Sequence, residues 1–458
     1  MEAKTSRCKM ATFLEHRGPE TANVQLFPRK YGLIVSKPLG SVKDFPNETA
    51  PTRKTFGNPA GRPVQDAVPT VRPARTGVDW KAEATAGGRA CPALAKEVYL
   101  GVLAARSSSA HRPYQAQTTF FRRLVRESEA LGVRVFIFSP RDVLWKKRRI
   151  RGWTWQSGAW RRKLYPFPAA VYDRVSRKGK VDLTGVKRVR ARLRRLRIPL
   201  FNARFGGKWR MYRIFSKNPI LREAIPPTRR LSRESLKAMI EKYGEVYVKP
   251  SNGGQGQGVA WAKRVRGGYV YQKNLVRRSV RGRASSLEAL IKKLRARRRP
   301  YLVQMAVRIP RYKGRSFDLR ALVQRGRDGE WRVTGIVARL GRPRSRVTNI
   351  HAGGSAAPVE EVLREIGAGD QQEMIVARAS ELALEVARAI ANATKGYVAE
   401  LGVDIALDDE WKCWVLEANS RTGRISFHKA GLAEAGAAAD RGPAEFALYL
   451  AERKARRP

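Results

Sequence analysis

Cysteine is scarce in this chain: Cys8, Cys91 and Cys413 are the three in 458 residues, and none stands in a C-x-x-C spacing. That argues against a disulfide framework or a structural zinc site and suits a reducing compartment. Long apolar runs are missing too. No stretch approaches the roughly 18 to 20 apolar residues of a membrane-spanning helix, and charged residues occupy the amino terminus where a signal peptide has its apolar core. A soluble, cytoplasmic protein is expected. Acid is in short supply, with 39 Asp plus Glu against 93 Lys plus Arg and a net charge of +54. Such a surface attracts polyanions, and the attraction weakens as salt rises. No Ser/His/Asp or Cys/His set stands at a recognisable spacing, and the lone His351 reads as a hydrogen-bonded structural residue, so catalysis by an activated side-chain nucleophile is not indicated.

What is present is enough apolar material, 43% of residues, to build two or three domains. Residues 1–92 are rich in Pro, Gly, Thr, Arg and Lys without a sustained period and read as a disordered basic arm. Order is expected from Glu97. A buried strand at Val98 to Leu103, a helix from Thr118 to Leu131 and a strand at Val133 to Phe138 open an α/β domain. The segment from Trp145 to Trp160 interleaves four tryptophans with basic residues. It reads as a Trp-rich hairpin packed on its own domain in preference to a nucleic-acid platform. Val186 to Arg197 is a basic helix with a solvated face, and Lys208-Trp209 opens another helical stretch that Pro226-Pro227 breaks.

Val246-Tyr247-Val248-Lys249-Pro250 is a strand tipped by a lysine. Directly after it, Gly253, Gly254, Gly256 and Gly258 place four glycines in six positions, which lets backbone N–H groups approach an anion. Because Val259-Ala260-Trp261 resumes a strand, the unit is neither a P-loop nor a Rossmann fingerprint. It reads as a lid over phosphates or as a plain hairpin. Strands follow at Tyr301 to Val307, Phe317 to Val323 and Trp331 to Leu340, then a long helix from about Met374 to Asn392. Near the end, Val403 to Leu407 and Trp411 to Leu416 flank an acidic turn at Asp408 to Glu410. The hairpin brings Asp404 near Glu417 and Asn419, which share one face of an extended strand. Three oxygen-bearing side chains suit a hard cation such as magnesium presenting a nucleotide; a solvated acidic hairpin is the plainer alternative.

In this order the lysine-tipped strand, the glycine lid, Asp318-Leu319-Arg320, Asn349 to Gly354 and the Asp404/Glu417/Asn419 set resemble the ATP-grasp superfamily. Within it the chain is most similar to the YheC/YheD-type endospore coat-associated family, through Gly152-Trp153 to Trp160, Val171-Tyr172-Asp173-Arg174, Lys208-Trp209, Pro226-Pro227-Thr228, Val248-Lys249-Pro250 and Phe317-Asp318-Leu319-Arg320. The resemblance covers about Glu97 to Phe427. It implies an α/β chain of the α+β ATP-grasp kind: an N-terminal open α/β pre-ATP-grasp domain at 93–200, a two-lobed ATP-grasp domain at 201–430 with its glycine-rich lid lobe at about 222–303, and an Ala-rich helical tail with a basic end at 431–458.

The resemblance also implies roles. Lys208 and Lys249 would contact the ATP phosphates, Gly253 to Gly258 would close over them, and Gln304, Met305 and Val307 would lie beside the adenine. Arg320 would face the γ-phosphate. Asp404, Glu417 and Asn419 would hold Mg2+ with Asn349 alongside. Two positions depart from the family pattern, Gln304 where many relatives have an acid and Arg421 where they run toward a proline. The activity implied is an ATP-dependent carboxylate-amine ligase working through an acyl phosphate and releasing ADP, with an acidic polymer or peptide among the substrates its charge suits. A non-catalytic protein of a spore coat assembly is the alternative, and a nucleic-acid or polyanion binder the third.

Overall fold

The computed structural model describes residues 97–107, 109, 111–176, 181–203, 205–253, 256–275, 278–294, 300–343, 348 and 353–456. The expected arm at 1–92, together with Gly254, Asn349 and His351, lies outside them. Three sheets organise the described residues.

The first sheet grows from Val98–Leu103, which pairs in parallel with Val133–Phe138 on one side and Ala170–Asp173 on the other. Near-continuous apolar strands of this kind are those of a sheet covered on both faces. The Trp-rich segment adds the antiparallel hairpin Arg149–Gln156 and Ala159–Pro166, and Trp155 faces Trp160 across it. Their indoles pack against the N-terminal core, with Arg122 stacked 4.0 Å over Trp155 and Arg106 4.0 Å over Trp153.

The second sheet is antiparallel, in the order Ser279–Ala284, Gly268–Asn274, Ala260–Val265, Glu245–Pro250, Tyr301–Met305 and Thr228–Arg230. One face is buried by the helices Arg233–Tyr243 and Leu287–Leu294, whose Leu236, Ile240, Leu290 and Leu294 meet Val246, Val248, Ala260 and Ala262. Each fully buried side chain of this size contributes roughly 1.5–3 kcal/mol. Ser232 starts the first helix by accepting from Ser235 N, and Gly244 ends it at φ +72°. The opposite face, offset by one residue along each strand, carries Tyr247, Lys249, Trp261, Gln272 and Gln304.

The third sheet has the order Ser355–Ala357, Trp331–Leu340, Arg315–Arg325, Glu400–Leu407 and Cys413–Asn419. Leu319, Ala321, Val323, Val403 and Ile405 pack on the helix Gln372–Asn392 through its Ile375, Ala379, Leu382 and Val386. The alternate residues, Asp318, Arg320 and Asp404 among them, therefore share the other face. The closing hairpin is longer than expected on both sides. Glu400 joins its first strand, and the second runs to Asn419, while Trp411, at φ +64°, belongs to the turn.

The Ala-rich helix expected as a tail, Ala433–Ala455, packs back onto the first sheet and its helix Thr118–Glu129. It buries Phe446, Ala447, Leu448 and Leu450 beside Leu100, Phe121 and Phe201. Among the described residues no helix is long and apolar enough to cross a membrane.

Candidate functional site

A pocket opens where the second and third sheets meet. Phe205, Met211, Tyr212, Phe215, Ile225 and Leu302 give it an apolar side, and Lys208, Lys249, Thr228, Gln304, Glu417 and Asn419 give it a polar one. Apolar walls with a few convergent polar groups are the usual make-up of a small-molecule site.

Local folding places each polar group. Lys208 is the first residue of the helix Lys208–Phe215, and its backbone N–H donates 3.0 Å to Ser251 O, which pins the helix start to the loop after the lysine-tipped strand. The preceding residue must be glycine: a Cβ on Gly207 would sit 2.3 Å from Asn252 Oδ1 and 2.9 Å from Ser251 O. Lys208 Nζ forms an ion pair with Glu417 Oε2 at 2.8 Å and donates to Gly253 O at 3.3 Å. Lys249, next to last in the strand Glu245–Pro250, lies opposite Leu302, and its ammonium donates to Gln304 Oε1. Gln304 passes the chain on, donating 2.9 Å to Thr228 Oγ1. Burial, helped by the nearby charge of Lys208, lowers the Lys249 ammonium to about 8 against the opposing pull of Glu417 and Asp404.

Beside the pocket lies a buried arrangement of two carboxylates and two guanidiniums. Arg320 and Asp404 are directly opposite on neighbouring strands, with Nε donating 2.5 Å to Oδ1. Arg339 bridges the two carboxylates, donating 2.6 and 2.7 Å to Asp318 and lying 3.0 Å from Asp404 Oδ2. Burial pushes Asp318 up despite Arg339, whereas at Asp404 the two arginines outweigh burial and hold the carboxyl below its usual range. Asn419 donates 3.2 Å to Asp404 Oδ2, and Glu417 faces Asp404 in the strand register.

The expected residues thus fall into groups. Lys208, Lys249, Gly253, Gln304, Glu417 and Asn419 line the pocket. Arg320 and Asp404 join it through Asn419 and the strand register. Gly256 and Gly258, at φ +67° and +74°, form the turn before Ala260–Val265. Met305 and Val307 are half-buried and do not line the pocket; Gly254 and Asn349 lie outside the described residues.

Sequence reasoning passed over Arg339 and Asp318 as site residues. The available signal was the alternation in Phe317-Asp318-Leu319-Arg320, two opposite charges on one face of an otherwise apolar strand. It also passed over a buried network around Glu400. That carboxylate meets Tyr172, Arg424 and Gln324, with Arg174 Nη1 3.5 Å away. Arg424 in turn donates 2.7 Å to Ala439 O and stacks 4.1 Å from the Phe120 ring. The network ties the loop after Asn419 to the first sheet, through Tyr172 and Arg174, and to the helix Ala433–Ala455.

The donor set bears on a metal. Asp404, Glu417 and Asn419 offer hard oxygens on adjacent strands. Among the described residues no group of three or more His, Cys, Asp or Glu could hold an ion. Two carboxylates and an amide are donors of the kind magnesium takes from protein, its remaining oxygens coming from phosphate and water; here Asp404 is held by Arg320 and Arg339 and Glu417 by Lys208.

A family model described as YheC/D like ATP-grasp matches residues 197–450, more than half of the chain. The endospore coat-associated protein YheD of Bacillus subtilis (strain 168) is 27% identical over 350 residues, covering 75% of this chain and 77% of that protein. YheC of the same organism is 22% identical over 326 residues, covering 68% and 87%. Among solved structures, an ATP-grasp ligase associated with RiPPs from Chryseobacterium gregarium, in complex with ADP and a leader and core peptide, is 14% identical with a TM-score of 0.39, covering 74% of this chain and 96% of its own. The D-alanine-D-alanine ligase of Coxiella burnetii is 11% identical with a TM-score of 0.43, covering 78% and 97%.

Proposed function

The chain belongs to the YheC/D-like ATP-grasp family and has an α+β ATP-grasp fold, and from that premise we propose that it binds Mg-ATP and joins a carboxylate to an amine through an acyl phosphate. The observation that carries the reading is the convergence of Lys208, Lys249, Glu417 and Asn419 on one pocket with an apolar side. Phosphoryl transfer asks little covalent work of a protein; it asks for in-line positioning and for neutralisation of phosphate oxygens.

In this proposal the base lies against the apolar side and the phosphates against the two lysines. Lys249 is tuned for that task, because a phosphate beside it restores the charge that burial opposes. Asp404, Glu417 and Asn419 would hold magnesium, which supplies further neutralisation of the phosphates. A carboxylate oxygen of the substrate attacks the γ-phosphorus and the bond to the bridging β–γ oxygen breaks, giving an acyl phosphate and ADP. Arg320 stabilises the charge on the transferred group. The amine nitrogen then attacks the acyl carbon, phosphate leaves, and the amine loses a proton. The names of the curated relatives carry a location, the endospore coat, which the proposal extends to this chain.

Hydroxylamine tests the reading. With Mg-ATP and a panel of acidic amino acids, peptides and polymers, a hydroxamate and stoichiometric ADP are expected, and neither after Lys249→Ala or Arg320→Ala. Tight Mg-ATP binding without ADP or hydroxamate across a broad panel would sink the ligase and favour a non-catalytic coat protein.

A further inference from the structure

The face of the second sheet that holds Lys249 and Gln304 does not end at the pocket. Gln304 faces Tyr247, Tyr247 faces Trp261, Trp261 faces Gln272 and Gln272 faces Arg281, one row across five strands. Neighbouring strands are about 4.8 Å apart, so Arg281 lies about 19 Å from Gln304, the span of about six residues of extended chain. The far end of the row is an open groove of about 780 Å³ between this sheet and the turn after Arg311. Arg281, Arg283 and Arg311 line it, and no carboxylate does among the described residues. The nearest acid on that face, Glu245, is held 3.1 Å from Lys263 and accepts from Trp261 Nε1 at 2.9 Å.

We propose that this groove docks an extended acidic peptide, whose chain lies along the strand Ser279–Ala284 beside Arg281, Arg283 and Arg311. Three points select that occupant. The charge calls for an anion. Among the described residues the strand Ser279–Ala284, which carries Arg281 and Arg283, is the last in its sheet, so it offers an edge along which an extended chain can lie. The groove's aromatic residues, Trp261 and Tyr271, are only 8% and 9% exposed, so they offer no open ring on which nucleic-acid bases could stack. The inference rests on the ligase reading for what the peptide does, and on the groove alone for where it binds.

The test uses the full chain with a fluorescein-labelled decamer of glutamate, a glutamine decamer and a single-stranded DNA decamer, read by fluorescence anisotropy at fixed salt. A triple variant, Arg281→Ser with Arg283→Ser and Arg311→Ser, is compared with a control that removes the same charge from the exposed helix face, Lys187→Ser with Arg188→Ser and Arg195→Ser. The groove variant is expected to lose tenfold or more in affinity for the glutamate decamer and the control less than twofold, with Mg-ATP thermal stabilisation unchanged in both. Equal losses in the two variants overturn the docking site, as does a groove-dependent loss that is larger for DNA than for glutamate. Groove-dependent glutamate binding without ADP release upholds the docking site and removes the ligase reading instead.

Discussion

Lys208 and Glu417 close an ion pair of 2.8 Å across the pocket, although one begins a helix and the other lies on the last strand of the third sheet. The pair is partly exposed, so its own contribution to stability is modest, about 1 kcal/mol or less. What it does is hold a cation for phosphate and an anion for metal in the same few ångströms. Glu417→Gln keeps the shape and removes the charge. The melting temperature is expected to change little, while magnesium-dependent stabilisation by ATP is lost. A thermal-shift titration in which the variant responds to Mg-ATP like the parent would remove Glu417 from the metal set.

Lys249 titrates near 8 in the folded chain, because burial and Lys208 outweigh the carboxylates, against an ordinary value of 10.5. Between those values the unfolded chain holds a proton that the folded chain has released, so this residue makes stability rise with pH there; below about 8 the cost is constant. At about 1.4 kcal/mol per unit the whole effect is a few kcal/mol at most. Lys249→Met should therefore change its stability relative to the parent between pH 8 and 10.5 and not between pH 6 and 7.5, in the direction of losing ground as pH rises. ATP affinity of the parent should fall above pH 8. Urea denaturation at pH 7 and 10 and nucleotide titration across the same range check both. A parent-to-variant difference that is flat with pH would mean that Lys249 is not perturbed by its surroundings.

Much of this arrangement was legible before the fold was known. Val98 to Leu103 and Val246 to Pro250 announce themselves as strands by apolar content and boundaries, and the turn at Asp408 predicts that Asp404 will meet Glu417. Arg339 was not legible as a partner of Asp318. Their pairing depends on a strand register that shifts between Leu322 and Val323, and no local pattern encodes such an irregularity. The last helix was expected, but its packing was not, for another reason. Its Ala- and Gly-rich surface and internal Pro443 leave a weak periodic signal, and its partners, such as Phe121 and Leu100, lie more than 300 residues away in sequence. Glu400 hid in the same way, as one acid at the start of an apolar run whose partners, Tyr172 and Arg174, Gln324, and Arg424, come from three other parts of the chain.

The four charges beside the pocket should respond very differently from charges on the surface. Arg339→Leu leaves Asp318 without its guanidinium and Asp404 with Arg320 alone, burial unchanged, and removing one partner of a buried pair costs about 3–5 kcal/mol. Arg327→Leu breaks an ion pair of 3.0 Å with Glu452 whose arginine is 60% exposed, and should cost less than about 1 kcal/mol. Denaturant titration of the two variants checks the contrast. Similar losses would mean that the buried carboxylates find other compensation.

The final prediction concerns a glycine that keeps the site loop in place. Gly402 lies opposite Asn419 in the strand register, and a Cβ there would sit 2.4 Å from Thr422 Oγ1, 3.0 Å from Thr422 Cβ and 3.2 Å from Arg320 Cδ. Thr422 is almost fully buried and accepts from Arg320 Nη1 at 3.4 Å, so it cannot step aside without moving the loop between Asn419 and Arg424 or the guanidinium itself. Gly402→Ala is therefore expected to destabilise by about 1–3 kcal/mol, the range for overpacking a filled interior. Thr422→Ala removes the nearest atom and leaves only the looser contacts, so the double variant should be less destabilised than the sum of the singles, by about 1 kcal/mol, as expected for residues in direct contact. The functional readout separates loop from pocket. Lys208 and Lys249 are untouched, so ATP affinity should hold in Gly402→Ala, while hydroxamate yield falls because Arg320 is displaced, and Thr422→Ala added to it should restore part of the yield. Strict additivity of the two substitutions in denaturation, or an equal loss of ATP binding and of hydroxamate, would show that Gly402 serves the strand and not the position of Arg320.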